Sequence, residues 1–399
     1  LVTVDGFDPG AAGRLRDVLE GYVEQGDVPG VVAAVAQGDE LLVEAVGRRS
    51  FDEGDGPMRG DSIFRITSMT KPMVAVAALT LAEEGRLDLD EPVDRLLPEL
   101  ANMQVLEAMD GPLDQTVPAE RAITVDDVLT FRLGWGTPAA DFFGWPLFAR
   151  ATELGLHLGP PLPRPTISSD EWIAGMGSLP LLRQPGEAWL YDVGASVLGV
   201  LVERAAGAPL PDVLRERVLQ PLGMRDTGWH VPAEDLHRLT TSYGPLDGGG
   251  FEVLDPGDAA SAWAQPPSFP DGASGLVSTV GDCVAFGSML IEGGTGPSGE
   301  AVLGRQWVQR MTTDQLTAEQ REDSAAAPFL DGGGWGLGVG IDPQGRHLWA
   351  GGFGTVWRND PSAGRVEVLL TQRAVYPVGI ELIPEFWAAA EQLAPATEA

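Results

Sequence analysis

Leu15, Leu19 and Val23 recur at i, i+4 and i+8 within residues 10–26, a spacing that predicts an amphipathic helix. VVAAVAQGDELLVEAVG (31–47) then gives two short apolar runs split by Gln-Gly-Asp-Glu, the pattern of a β-hairpin. SIFRI (62–66) reads as a brief extended approach to a helix from Ser68 to Glu84. In that helix Val74, Ala77, Ala78 and Leu81 form an apolar stripe, and Gly85 is the stop. ITVDDVLTFRLGWGTP (123–138) predicts a helix that ends in Gly-Trp-Gly-Thr-Pro. Residues 135–189 are rich in Pro, Gly and aromatics and show little periodicity. Residues 196–224 predict two helices around a turn, and 281–292 another helix. Strand patterns return in GWGLGVGID (334–342), RHLWAGG (346–352), TVWRND (355–360) and RVEVLLTQ (365–372), with PQG and PSAG turns between them. A helix over 380–393 closes the pattern.

The early hairpin and the late strands match in character although they are far apart in sequence. The expected fold is therefore α+β: one antiparallel sheet assembled from both ends of the chain, flanked by the two terminal helices, with a second, mostly helical domain. The expected boundaries are 1–80 plus 274–399 for the discontinuous α/β domain and 81–273 for the helical one, with the aromatic-rich insert at 135–189. There are no repeats and no long linker.

Composition adds exclusions. The formal net charge is −32, a field that repels phosphate backbones and anionic lipid surfaces, so neither a nucleic-acid nor a membrane partner is expected. Cys283 is the only cysteine, which rules out an intramolecular disulfide and a Cys-based metal site. His157, His230, His237 and His347 have no metal-type spacing. Neither a metal nor a cofactor is expected. No run approaches the apolar length of a membrane helix, and no signal peptide is visible. The expected location is cytoplasmic, with N-terminal processing left open by a chain that starts at Leu1.

One count changes the picture most. Lys and Arg together number 26, and Lys71 is the single lysine. It stands three residues after Ser68 at the start of a predicted helix, so both side chains share a face. A Ser hydroxyl is a poor nucleophile until a base removes its proton. A neutral Lys amine can serve if burial and the positive end of the helix dipole depress its pKa. Arg cannot, because it stays protonated. The competing reading is an N-cap Ser beside a surface Lys, and Ser-x-x-Lys alone does not decide between them. Pro72 follows directly, which places the pair in the first helical turn, where a missing N–H costs little.

Two further stretches carry candidate chemistry. In QPGEAWLYDVGASVLGVLVERAAG (184–207), Tyr191 lies in a loop just before a helix. A phenol beside an ammonium can shuttle a proton, or it can be a buried Tyr bonded to a carbonyl. In HLWAGGFGT (347–355), glycines in a strand suggest close approach of another group to the backbone, as an oxyanion hole requires. A bulge or hairpin end would read the same way.

Together these blocks resemble the serine β-lactamase-like superfamily, in particular class C β-lactamases and the family VIII carboxylesterases. FRITSMTKPMVAVAALTLAEEGRLDLDEPV (64–93) resembles the family's Ser-x-x-Lys block with its Glu-Glu-Gly and Leu-Asp-x-Pro-Val sequel. ITVDDVLTFRLG, PGEAWLYDVGASVLGVLVERAAG and GASGLVSTVGDCVAFGSMLIEGG match further family blocks in the same order. The resemblance implies Ser68 as acylated nucleophile, Lys71 as its base, Tyr191 as second proton carrier, and the backbone N–H groups of Ser68 and Gly352 as oxyanion donors. It also implies a cleft between the two domains. Two departures matter. The family's Tyr-x-Asn reads Tyr191-Asp192-Val193, and Val193 cannot bind a substrate amide as Asn does. The family's Lys-Thr-Gly aligns with Trp349-Ala350-Gly351, and no second lysine exists to hold a lactam carboxylate.

These departures favour an apolar, short-chain carboxylic ester as the small-molecule substrate over a β-lactam. An amide substrate (amidase or D-aminopeptidase), acyl transfer, a weak β-lactamase side activity and a non-catalytic acylated receptor are the alternatives. Expected substrate contacts are Trp349, Gly351, Val193, Trp135 and Phe142. Phe143, Trp145 and Phe148 cluster with the last two in sequence, and read either as an aromatic wall over the acyl pocket or as a satellite cluster under a long loop. His347, two residues before Trp349, is the competing occupant of the third motif. The sequence leaves the oligomeric state open.

Overall fold

The computed structural model describes residues 6–393, except 139–141, 143, 160, 163, 323 and 376–378. The two strand-rich ends of the chain meet in one seven-stranded antiparallel sheet. From edge to edge its strands are Glu40–Gly47, Gly30–Gln37, Arg365–Thr371, Thr355–Asp360, His347–Gly351, Gly340–Ile341 and Gly334–Trp335. The first hairpin is joined to the last strand in a register that sets Val31 opposite Thr371 and Gln37 opposite Arg365.

Gly30–Gln37 is apolar at almost every position because both faces of the sheet are covered. Side chains alternate across a strand. Val31, Ala33 and Val35 face the terminal helices Pro9–Glu24 and Leu382–Ala390, where they meet Leu15, Leu19, Leu382 and Phe386. Val32, Ala34 and Ala36 face the opposite core, which runs through helix Val280–Ile291 into the helical region.

Helix Thr70–Glu83 is the hub of that second core. The expected apolar stripe is too narrow a description: every residue from Thr70 to Ala82 is buried. A helix that is apolar all round belongs in an interior, and Lys71 goes in with it at 1% exposure. Ser68 itself lies just before the α-helix, in the short 3₁₀ turn Thr67–Met69. Pro72 is the third residue of the helix, where its N–H would have had no intrahelical partner.

Two element predictions need correction. The helix expected over 123–138 is only Val125–Leu129, set by a Thr124/Asp127 capping box, and Phe131 at φ 57 turns the chain away. The single strand expected over 334–342 is two two-residue strands folded on each other. Gly338 makes the turn at φ 78, and a Cβ there would stand 2.4 Å from Cβ of Ala75 in the hub helix. The insert of little periodicity holds helices Pro146–Glu153 and Ser169–Gly177, the second started by a Ser168/Glu171 capping box. Both are short, so the apolar period has little length in which to show.

The strand leading into Ser68, Phe64–Arg65, is anchored by a buried ion pair. Arg65 is paired with Asp255 and also donates to Thr240 O at 2.5 Å, Pro256 O at 2.8 Å and Ser261 Oγ at 3.2 Å. Asp255 in turn accepts from Ser261 Oγ at 2.6 Å and from Ala262 N–H at 2.8 Å. Removing one partner of such a pair leaves a buried charge uncompensated. Asp255→Ala is therefore expected to lower unfolding stability by about 3–5 kcal/mol in a urea titration. A loss under about 1 kcal/mol, the range of a surface pair, would show that the anchor is not what holds this strand.

Candidate active site

The turn that carries Ser68 is pinned from three sides. Ile66 N–H donates to Leu276 O at 3.0 Å, Thr70 Oγ1 to Thr67 O at 2.6 Å, and Leu276 N–H to Thr70 Oγ1 at 3.1 Å. Thr67 is held at φ 43, a left-handed conformation that a β-branched residue rarely adopts. Strained backbone of this kind persists where the surroundings over-determine it. The sheet supplies the last constraint. Gly351 lies so close that a Cβ would be 2.3 Å from Ile66 O and 2.4 Å from Thr67 Oγ1. The next residue, Gly352, is exposed and faces open space. Among the described residues, neither the Ser68 nor the Gly352 backbone N–H has an acceptor.

Lys71 Nζ makes three polar contacts. It donates to Ser68 Oγ at 3.0 Å and to Ala273 O at 2.8 Å, and it pairs with Asp192 Oδ1 at 2.7 Å. It also stands 4.8 Å from the centre of the Tyr191 ring, within cation–π range. This overturns the expectation of a depressed lysine pKa. Burial is the strongest single influence and pushes downward, but Asp192, Tyr191 and Asp271 together outweigh it, and the net direction is upward. The resting side chain is an ammonium.

Asp271 shapes the loop that delivers Ala273 O. It accepts from Ser196 Oγ at 2.6 Å, Ala273 N–H at 2.9 Å and Ser274 Oγ at 3.0 Å. Burial, and then the neighbouring Asp192, raise its pKa.

Tyr191 sits just before helix Val193–Ala206, backed by the Gly-Trp-Gly-Thr stretch. Thr137 N–H donates to Tyr191 O at 2.8 Å, and a Cβ on Gly136 would come within 2.7 Å of that same oxygen. Trp349 Nε1–H donates to Tyr191 Oη at 2.9 Å. Aromatic rings close around the phenol: Trp349 at 5.4 Å, Trp189 at 5.8 Å, Phe131 at 6.3 Å and the exposed Phe329 at 4.7 Å. Trp335 completes the set, 4.7 Å from Trp349 and 4.6 Å from Phe131.

The structure thus brings Ser68, Lys71, Tyr191 and Trp349 together, with Gly351 and Gly352 beside the nucleophile turn. It does not put the other expected contacts in the site. Trp135 and Val193 are each 1% exposed in the main core, and the Phe142 ring meets that of Phe148 at 4.5 Å in a tilted contact against that core. Of the aromatics near 142–148, Phe148 is buried and Phe142 and Trp145 are half-buried against the core, and Phe143 lies outside the described residues. Gly351 lets the strand approach and presents no side chain to a ligand. His347 is buried, which drops its pKa to about 4, and Trp349 is the residue that meets Tyr191. Burial likewise pushes the Cys283 thiol up to about 12, so it is inert as a nucleophile. A separate groove of about 1090 Å³ near Met224–Pro232 contains none of Ser68, Lys71, Tyr191 and Trp349.

Sequence reasoning missed Asp192, Asp271 and the wall of Phe131, Trp189, Phe329 and Trp335. The one available signal was an acidic residue directly after Tyr191, at a position treated only as the spacer of a motif.

A model of the Beta-lactamase family matches residues 15–390. Protein Rv1367c of Mycobacterium tuberculosis is 37% identical over 382 residues, covering 91% of this chain and 89% of its own. Esterase EstB of Burkholderia gladioli is 32% identical over 391 residues, covering 91% of each chain. Among solved structures, EstCE1, described as a hydrolase with promiscuous acyltransferase activity, aligns with a TM-score of 0.77 at 25% identity, over 95% of this chain and 98% of that one.

Gly351→Ala tests the approach of sheet to nucleophile turn. The added Cβ meets backbone at under 3.0 Å, so strand or turn must shift. A displacement near 1 Å at a reacting group costs about 10²-fold in rate. Turnover measured on any substrate of the site should fall by about that factor in a folded protein; an unchanged rate would mean that the contact does not position Ser68.

Proposed function

The chain belongs to the Beta-lactamase family, and from that premise we propose that it is a serine carboxylesterase acting through an acyl-enzyme on Ser68. The observation that carries the reading is the contact set around the only lysine: Lys71 Nζ 3.0 Å from Ser68 Oγ, beneath a tyrosine held by Trp349. Ser68 Oγ attacks the ester carbonyl while Lys71, in its amine form, takes the hydroxyl proton. The negative charge that develops on the carbonyl oxygen is met by the Ser68 and Gly352 backbone N–H groups. The C–O bond to the alcohol then breaks, and the leaving oxygen takes a proton delivered through Tyr191. Water enters, loses a proton to the same groups and releases the acid, restoring Ser68. A positioned proton carrier contributes about 10²–10⁴-fold, and an oxyanion donor about 10²–10³-fold.

Esters are favoured over β-lactams because Trp349 occupies the place of a second cation, and its neighbours are aromatic rather than charged. Phe329, Trp349 and Tyr191 offer an apolar surface suited to a short acyl or alcohol group. The esterase named at 32% identity supports this choice. Transfer of the acyl group to an alcohol in place of water is the second reading, favoured by the acyltransferase activity ascribed to EstCE1. Product analysis with p-nitrophenyl butyrate, water and a competing alcohol separates the two.

Ser68→Ala is expected to lower p-nitrophenyl butyrate hydrolysis by about 10³-fold or more, and full activity would refute the assignment. Lys71→Arg keeps a cation but provides no titratable base, so activity is expected to fall by about 10²–10⁴-fold. A Lys71→Arg enzyme that turns over esters well would remove the general-base role.

A further inference from the structure

Asp192 has a role that the reaction above leaves unassigned. Its backbone is at φ 82 and ψ −66, and Val193 N–H donates to Tyr191 O at 3.1 Å. That is a γ-turn of the rare positive-φ kind, strained for any residue with a side chain. Although Asp192 stands at the N-cap of helix Val193–Ala206, its side chain caps nothing there. Its carboxylate goes to Lys71 Nζ at 2.7 Å, buried with it. A strained turn therefore directs a carboxylate at the only lysine.

We propose that Asp192 is a positioning residue for the esterase reaction, acting with Ala273 O to aim one direction of Lys71 Nζ at Ser68 Oγ. The inference rests on the esterase reading. The ammonium has three N–H donors and no acceptor, and its three polar partners are Asp192, Ala273 O and Ser68 Oγ. A carboxylate and a peptide carbonyl can only accept. When the ammonium loses one proton, the two remaining N–H bonds stay on these two fixed acceptors. The lone pair is left pointing at Ser68 Oγ–H, which is where a base must present it. Asp192 stands to Lys71 as the carboxylate of a Ser-His-Asp triad stands to its imidazole, fixing orientation without itself receiving the proton.

The same contact sets the pH at which the base appears. The titratable groups facing Lys71 are Asp192 and Tyr191 from the loop before helix Val193–Ala206, and Asp271 from the loop carrying Ala273. Ser68 faces it from its own turn. The sheet contributes Trp349, which is uncharged. The acidic neighbours all favour the ammonium, so the amine form accumulates only on the alkaline side, and kcat/KM rises with pH. Removing the Asp192 charge moves that rise toward lower pH.

The test is kcat/KM against pH for p-nitrophenyl butyrate with wild type, Asp192→Asn, Asp192→Gly and Ser68→Ala. Asn has the shape of the resident Asp, and Gly has no Cβ to strain at positive φ, so both variants fit the turn. Asp192→Asn keeps an acceptor and loses the charge. Its ascending limb should move down by about one pH unit or more, with the plateau lowered by about tenfold at most. Asp192→Gly loses the acceptor as well, and its plateau should drop by about 10²-fold. An unmoved limb in Asp192→Asn, or a wild-type plateau in Asp192→Gly, overturns the proposal while the esterase reading stands. Equal rates for wild type and Ser68→Ala at every pH overturn both.

Discussion

The structure turns on a buried ammonium. Lys71 is enclosed at the head of a helix whose next eleven residues are also buried, and it is held there by a hydroxyl, a carbonyl and a carboxylate. Taking two charges out of water is costly, and an ion pair of this kind is often no more stable than apolar residues of the same volume. Its presence is therefore better understood through reactivity than through stability. The surrounding architecture follows from the need to converge on that one nitrogen. The hub helix supplies Lys71 and the turn before it Ser68, the loop shaped by Asp271 supplies Ala273 O, and the loop at the head of helix Val193–Ala206 supplies Tyr191 and Asp192. The sheet supplies Trp349 and the glycines that let it come close.

Each of these pieces is fixed by a different device. Buried Arg65 and Asp255 anchor the strand that enters the nucleophile turn. Missing side chains at Gly136 and Gly351 allow backbones to meet where a Cβ would collide. Thr67 and Asp192, both at positive φ, bracket the site in backbone conformations that only a rigid surround maintains. Aromatic rings from four separate segments enclose the phenol. An acidic protein with a net charge of −32 thus keeps its single lysine dry and uses it locally.

Much of this was legible in the sequence, and the limits have physical causes. The sheet halves could be read because alternation and turn residues are local signals, and their union in one sheet followed from their shared character; the pairing of the first hairpin with the last strand could not be read, because register is set by tertiary contact. Lys71 could be read because its isolation among arginines is visible by counting. Its protonation state could not, since that depends on Asp192 and Asp271, which the chain brings in from a distance. Asp192 was hidden for a further reason: only the positive-φ turn sends its carboxylate back to Lys71. The aromatic wall was misread because closeness in sequence suggested Trp135 and Phe142. The true neighbours of Tyr191 are Trp189, two residues before it, and Phe131, Phe329 and Trp349, which tertiary contact brings in.

All of this chemistry requires that Ser68 carry a transient acyl group. Intact-protein and peptide mass spectrometry on samples quenched during turnover of a p-nitrophenyl ester tests it most directly. An acyl adduct is expected on the peptide containing Ser68, formed within the first turnover and gone once substrate is exhausted. Hydrolysis with no adduct on that peptide, or an adduct that persists for hours without product, would contradict it.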